Sequence, residues 1–389
     1  MNKRSLFLII FVALALGLIS PYASAQTATP TVLASGLKAP SKIIVSPKGN
    51  LLVAEQGNGA NTGRVSILDL SGNRRTLLDG LPSGFSPPNG EPSGPSGLEM
   101  RGRTLYVVIG LGDATVGGPV PGTEIPNPSP SSSFFSSVLS VRLSPKAEES
   151  TQGFTMTAAD QLALQTRGFA KLTDAAGNEL TVEVLVNFPD FTFEARPNFA
   201  GNVRPSNPFG ITSRGNSLYV VDASQNQIYE IDVDSGNYRV AFRIPLRQNP
   251  LPIGAPFIDP VPDSIRLFGK SLLVTVLTGF PFPAGTAEVR KIRLTNGANE
   301  PFISGLSSAI DVLPAKNASG QDIFFTLEFS SAQLAGAPGR LTQFDQLGGN
   351  PVVLLSNLTS PTSMVKDPVS GDLFVTEIFS GTITRVKLP

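Results

Sequence analysis

The side chains with the widest chemical scope in this chain are carboxylates placed at the ends of a repeated apolar run. Glu55, Asp222 and Glu377 close three copies of that run, and the corresponding positions of the other copies are Ile109, Val276 and Leu327. Acidic groups gathered around one opening could coordinate a hard cation such as Ca²⁺ or exchange protons with a substrate. Each could equally accept backbone N–H bonds inside its own loop and fix the turn there. Glu99, Arg266 and Asp311 form a second set, on strands expected to line a central channel. Charges so placed must be paired or wet, as a channel network or as structural ion pairs. Phe280 and Phe282 flank Pro281 and hold two rings on a stiff backbone. Such rings suit stacking on a sugar or an aromatic ligand, or plugging a gap between neighbouring elements.

What is missing narrows the chemistry further. The chain has no His and no Cys. A Ser-His-Asp triad, an imidazole base, a thiol nucleophile, a zinc–thiolate site and a disulfide are therefore excluded. No cofactor is expected, and an oxygen-bound Ca²⁺ is the one kind of metal the composition suits. Lys plus Arg equals Asp plus Glu, 30 each, which argues against nucleic acid or an anionic membrane as the main partner. No GxSxG, Walker or dinucleotide fingerprint stands in a strand-to-helix context. No residue is assigned as catalytic, and whether the chain is an enzyme stays open.

The elements that must position these groups are strands in a repeating order. Residues 207–231, NPFGITSRGNSLYVVDASQNQIYEI, read as strand, Gly-Asn turn, strand, polar loop, strand. The same grammar recurs from Ser41, Pro95 and Pro361, and more weakly from Pro262 and Ser308. Six short meanders of this kind predict an all-β, six-bladed β-propeller. The sixth unit lacks an outer strand, while residues 31–37, TVLASGL, resemble the outer strands of other units and have nothing local to pair with. That segment is expected to complete the last blade and close the ring, removing exposed edges.

Loop lengths divide the ring into two faces. One carries short turns such as KGN, RGR and RGN; the other carries residues 110–137, 189–206, 245–261, 278–287 and 329–339. Long loops collected on one face of a rigid scaffold are where function usually resides. An insertion at residues 144–178 breaks the second unit on the short-turn side. Within it Thr157 and Asp160 predict the start of a short helix packed on the rim. Asp232 to Asn237 has acidic spacing like a calcium loop, but Gly236 comes one position early, so it reads as a turn.

Residues 1–25 have the form of a secretory signal. Lys3 and Arg4 precede an apolar run, and Ala23-Ser24-Ala25 forms a cleavage site. The run is too short to span a bilayer comfortably, and no later segment could. A secreted or periplasmic protein is expected, cleaved near Ala25, with residues 26–389 as the propeller.

YVVIGLG from Tyr106, SGPSGLE from Ser93, SNPFGI from Ser206, VVDASQN from Val220 and LTGFPFPAGTA from Leu277 resemble the ScyD/ScyE family of exported propellers. The resemblance spans nearly all of residues 31–388 except the insertion. It implies export and a six-bladed ring of the wider NHL and lactonase-like kind, with no assigned activity. It also implies a Glu in the fourth blade, where this chain has Val276. Lactonase-type propellers bind a divalent ion through an acidic entry near the first inner strand; here that entry is Lys38-Ala39-Pro40-Ser41, without a carboxylate.

The sequence thus points to an exported binding or scaffolding protein that meets a small molecule, glycan or protein on its long-loop face. The candidate contacts are Phe280, Phe282, Asp222, Glu55 and Glu377. The alternative is a Ca²⁺-dependent, lactonase-like hydrolase with carboxylates at the mouth.

Overall fold

The computed structural model describes residues 28–345, apart from residue 88, and residues 351–388. The signal sequence expected at residues 1–25 lies outside the described residues. No helix among the described residues is long and apolar enough to cross a membrane.

Six antiparallel sheets form the blades of a propeller. The third blade shows the unit in its plainest form: Pro208–Arg214, Ser217–Asp222, Gln227–Asp232 and Tyr238–Arg243, hydrogen-bonded in chain order. Gly215, at φ 58°, opens the two-residue turn into the second strand, a conformation that hairpin turns require and that Gly adopts without a Cβ penalty.

Burial peaks in the second strand of each blade and falls toward the rim, and the sequence pattern follows it. Second strands such as Leu51–Glu55 and Ser271–Val276 are buried along their whole length. They are therefore continuous apolar runs, because both faces of the strand meet a neighbouring blade. Along one such strand Leu218 and Val220 pack toward the second blade, while Tyr219 and Val221 pack toward the fourth. The core is accordingly divided into six clusters, one at each blade interface. Outer strands such as Tyr238–Arg243 are largely exposed.

Ring closure follows the sequence expectation. Thr29–Ala34 pairs antiparallel with Thr382–Lys387 and supplies the fourth strand of the last blade. The register slips between Val32 and Ala34, and the Leu37 N–H donates to the Gly381 carbonyl at 3.0 Å.

The insertion does more than sit on the rim. Phe154–Thr155 adds a parallel pairing to the outer strand of the first blade, and Phe169–Thr173 becomes a fifth strand of the second. Between them lies a helix, Ala158–Arg167, whose Thr157 side chain accepts from the Asp160 N–H while Asp160 answers the Thr157 N–H. Phe154, Met156 and Leu164 enter the core between blades one and two. Two outer edges that could recruit another chain are thereby covered.

A chain beginning at Lys38 would leave Thr382–Lys387 as an open edge. It should melt below the parent, by about 2–3 kcal/mol on the scale of exposing the buried Leu37, and self-associate in size-exclusion chromatography. An unchanged melting temperature in a monomeric truncation would contradict closure by this strand.

Candidate functional site

Every blade enters the channel with the same short phrase. The innermost strand starts with Pro40, Pro95, Pro208, Pro262, Ala309 or Pro361; two variable residues follow, then a buried aliphatic residue. The pairing register breaks just after that first residue in all six blades. A proline lacks the N–H a ladder would need, and the bulge after it turns the variable pair toward the axis. Three residues that precede these prolines, Ala39, Val261 and Ser360, hold positive φ of 53°, 52° and 50°. The mouth thus carries backbone that only a firm scaffold would keep in place.

The first variable residue stitches blade to blade. The Ser41 hydroxyl donates to the Pro95 carbonyl at 2.8 Å, Ser96 to that of Pro208 at 3.0 Å, and Thr362 to that of Pro40 at 2.9 Å. In the fourth blade the same place holds Asp263. It is 6 % exposed, and its Oδ1 has no hydrogen-bond partner. Burial pushes its carboxyl up to about 8, with Lys42 opposing and Asp311 adding to the rise.

The second variable residue builds the centre. Asp311 is fully buried and accepts from Arg266 Nε at 3.2 Å and Nη2 at 2.6 Å, from the Ser363 hydroxyl at 3.1 Å and from the Met364 N–H at 3.0 Å. The Lys42 ammonium lies 3.9 Å away. Burial alone would raise Asp311, but the Arg266 guanidinium and the Lys42 ammonium hold it well below the usual carboxylate range. Burial lowers Lys42 to about 8, with Arg266 adding to the drop and Asp311 opposing it. Glu99 is raised by burial, an effect offset by the Ser213 hydroxyl and N–H. The expected channel residues Glu99, Arg266 and Asp311 therefore belong to one charged network, joined by Lys42 and Asp263.

The strand-end carboxylates are spent elsewhere. Glu55 accepts from the Lys38 N–H at 2.6 Å and from the Ser66 hydroxyl. Asp222 accepts from the Asn207 N–H at 2.9 Å, the Gln225 N–H at 3.0 Å and the Ser206 hydroxyl at 2.6 Å. Glu377 accepts from the Thr359 N–H and the Thr384 hydroxyl. The register also corrects the fifth copy: Glu328, not Leu327, pairs with Ala309 and occupies this position. It accepts from the Ser307 N–H at 2.6 Å and pairs with Arg340. Four of the six blades thus latch the incoming inter-blade chain with a carboxylate. Among the described residues no group of three or more Asp or Glu is arranged to hold a metal ion, so these side chains do not fit a shared Ca²⁺ site.

Over the channel on the long-loop face lies a cavity of about 500 Å³. Asp263, Phe209, Ile310 and Thr362, all first variable residues, form its floor; Phe329 and Phe379 form a wall. The two rings meet edge-on with centroids 6.0 Å apart, and Phe379 is 63 % exposed. Glu55, Asp222 and Glu377 do not line this space, nor do Phe280 and Phe282. Phe280 is 58 % exposed and Phe282 half-buried, their rings edge-on at 6.0 Å in a loop outside the central mouth. Asp263 and Lys42 went unnoticed in the sequence, although Asp263 is the one charge among the first variable residues of the six copies, and Lys42 stands at the same place in its copy as Asp311 does in the fifth.

No family model and no curated protein matches the chain. Solved structures do. The soluble aldose sugar dehydrogenase of Escherichia coli, in its apo-form, is 13% identical over 93% of this chain and 99% of its own, with a TM-score of 0.50. Virginiamycin B lyase from Staphylococcus aureus is 15% identical over 93% and 99%, at 0.45. The gluconolactonase XC5397 from Xanthomonas campestris is 12% identical over 93% and 90%, at 0.46. Such identities speak to architecture: the chain is a six-bladed propeller, and its structural neighbours are propellers of the NHL and lactonase-like kind. Activity does not travel with a fold that hosts many chemistries.

Two substitutions separate the roles of the buried acids. Asp263 has a folded pKa of about 8, above its unfolded value, so the folded state holds a proton that the unfolded chain releases. Its contribution is intact below pH 4 and is lost as pH rises toward 8. Asp263→Asn should therefore match the parent near pH 4 and gain on the order of 2–4 kcal/mol at pH 7 in denaturant unfolding. Asp311→Asn should instead cost about 3–5 kcal/mol at pH 7, because Arg266 and Lys42 lose their counter-charge.

Proposed function

We propose that this chain is an exported small-molecule-binding propeller of the ScyD/ScyE type, holding its ligand in the cavity over the channel. The observation that carries this reading is the cavity itself: about 500 Å³, walled by aromatic rings, with a buried carboxyl on its floor that no protein group satisfies. Ligand pockets are commonly concave, mostly apolar and furnished with a few convergent polar groups. The phrases quoted above support the family reading, and the signal-like residues 1–25 support export. A catalytic role has less behind it, since the strand-end carboxylates are engaged in their own loops and no nucleophile–base pair lines the cavity.

A second reading, the docking of a protein, is favoured by apolar residues exposed in the mouth-face linkers, among them Phe193, Phe257 and Phe280.

Native mass spectrometry of the mature protein against a mixed library of sugars, organic acids, amines and aromatics tests the first reading. A one-to-one adduct should form with the parent and be lost in Ala337→Trp, which fills the cavity from its wall, while the melting temperature stays within a few degrees. Val369→Ala, on an exposed short-turn loop, should retain the adduct. Adducts indifferent to Ala337→Trp would place binding elsewhere.

A further inference from the structure

The charges around the channel do not balance, and the imbalance falls on the cavity. Five charged groups act on one another there: Lys42 and Arg266 against Glu99, Asp263 and Asp311. Both cations are committed to Asp311, Arg266 through two hydrogen bonds and Lys42 at 3.9 Å. Glu99 is held by the Ser213 hydroxyl and N–H. Asp263 is the carboxyl left without a hydrogen bond or an ion pair, and it is the member of the network that reaches the cavity floor. When all five groups are ionised, two positive charges face three negative ones, and the surplus negative charge rests on Asp263.

The rest of the lining matches that surplus. Its ionisable residues are Glu91 and Asp263, with no Lys or Arg. Phe209, Phe329 and Phe379 present ring surface around the same space. The negative face of an aromatic ring attracts a cation, and more strongly where water is excluded. A neutral donor could hydrogen-bond the Asp263 carboxylate but would leave its charge unbalanced, and an anionic ligand would add to that charge. A ligand cation supplies the missing partner.

Building on the small-molecule reading above, we propose that the mouth cavity takes a singly charged organic cation, with an ammonium group seated on Asp263 and an apolar body among Phe209, Phe329 and Phe379. Metal ions are poor candidates for the same seat, because among the described residues no three carboxylates gather to hold one. Binding draws the proton from Asp263, since the ionised carboxylate is the form that pairs with the ligand. The groups that face Asp263 in this exchange are Lys42, which lowers its pKa, and Asp311, which raises it.

The probes are 2-phenylethylamine, its neutral isostere 2-phenylethanol, and 3-phenylpropionate, titrated calorimetrically into the mature protein. At pH 8 the amine should bind at least tenfold more tightly than the alcohol, and the acid should bind weakest. Lowering the pH from 8 to 6 should weaken the amine by about tenfold per unit, as Asp263 takes its proton, and leave the alcohol unchanged. Asp263→Asn should bring the amine to the level of the alcohol without altering the alcohol, and Phe379→Ala should weaken both. Equal binding of amine and alcohol, tighter binding of the acid, or an amine preference that survives Asp263→Asn would overturn the cation proposal. So would the absence of any amine among library adducts that Ala337→Trp abolishes, a result that leaves the cavity reading standing. Adducts that ignore Ala337→Trp would remove both.

Discussion

Asp311 gathers inner strands of several blades onto one buried carboxylate. Its carboxylate sits on the inner strand of the fifth blade and reaches Lys42 of the first, Ser264 and Arg266 of the fourth, and Ser363 and Met364 of the sixth. Arg266 continues across the channel to the Met364 carbonyl at 2.8 Å. Four of six inner strands therefore converge on one buried anion. A chain without Cys has no disulfide to hold such a ring, and the described residues offer no metal cluster to do it. A buried ion pair contributes little net stability against a packed apolar alternative, but removing one partner strands the others, and that asymmetry fixes the arrangement. The centre of the channel is in this sense a geometric specification of the ring.

The mouth is the reverse case, where the same repeat position is left unsatisfied. Ser41, Ser96 and Thr362 each use a hydroxyl to bind the next blade's backbone. In the fourth blade an acid replaces the hydroxyl, and it makes no hydrogen bond to the next blade's backbone. The result is a polar group kept buried without a partner beside an apolar cavity. Structures generally satisfy such groups, so an exception at the floor of a concavity is where a ligand is to be sought. Repetition makes the exception visible: five blades show what the position does when it serves the scaffold or the lining, and the sixth shows a charge with no such use.

The strand-end carboxylates show how a residue type can suggest chemistry and carry out architecture. Glu55, Asp222, Glu328 and Glu377 each take an N–H from the segment that enters or leaves the channel at the mouth. Those segments include strained positions such as Ala39 and Ser360, and the carboxylate helps to hold the chain through the bend. The long mouth-face loops can then vary in length and composition without disturbing the blades, which separates the scaffold from the surface that meets a ligand.

Much of the architecture was written locally. The meander repeat, the outer-strand likeness of residues 31–37 and the Thr157–Asp160 cap are all short-range patterns, and each names its own element because turns, strands and caps are decided within a few residues. The insertion's pairing with the first blade was not legible: Phe154–Thr155 joins a strand more than seventy residues earlier, and pairing partners at that separation leave no periodic trace. The site was less legible still. Glu55, Asp222 and Glu377 stood out by repetition, yet their hydrogen-bonding partners lie in loops whose path only the folded ring defines. Asp263 and Lys42 drew no attention as single residues in inner strands. Their meaning depends on the distance from Lys42 to Asp311, on the missing partner of Asp263 and on the cavity above it. The sequence by itself determined a closed ring of six blades, because strand pairing and inter-blade packing recur at fixed spacing. Tertiary structure alone decided where charge remains unbalanced, because that balance is summed across strands from separate blades, brought within a few ångströms at the axis.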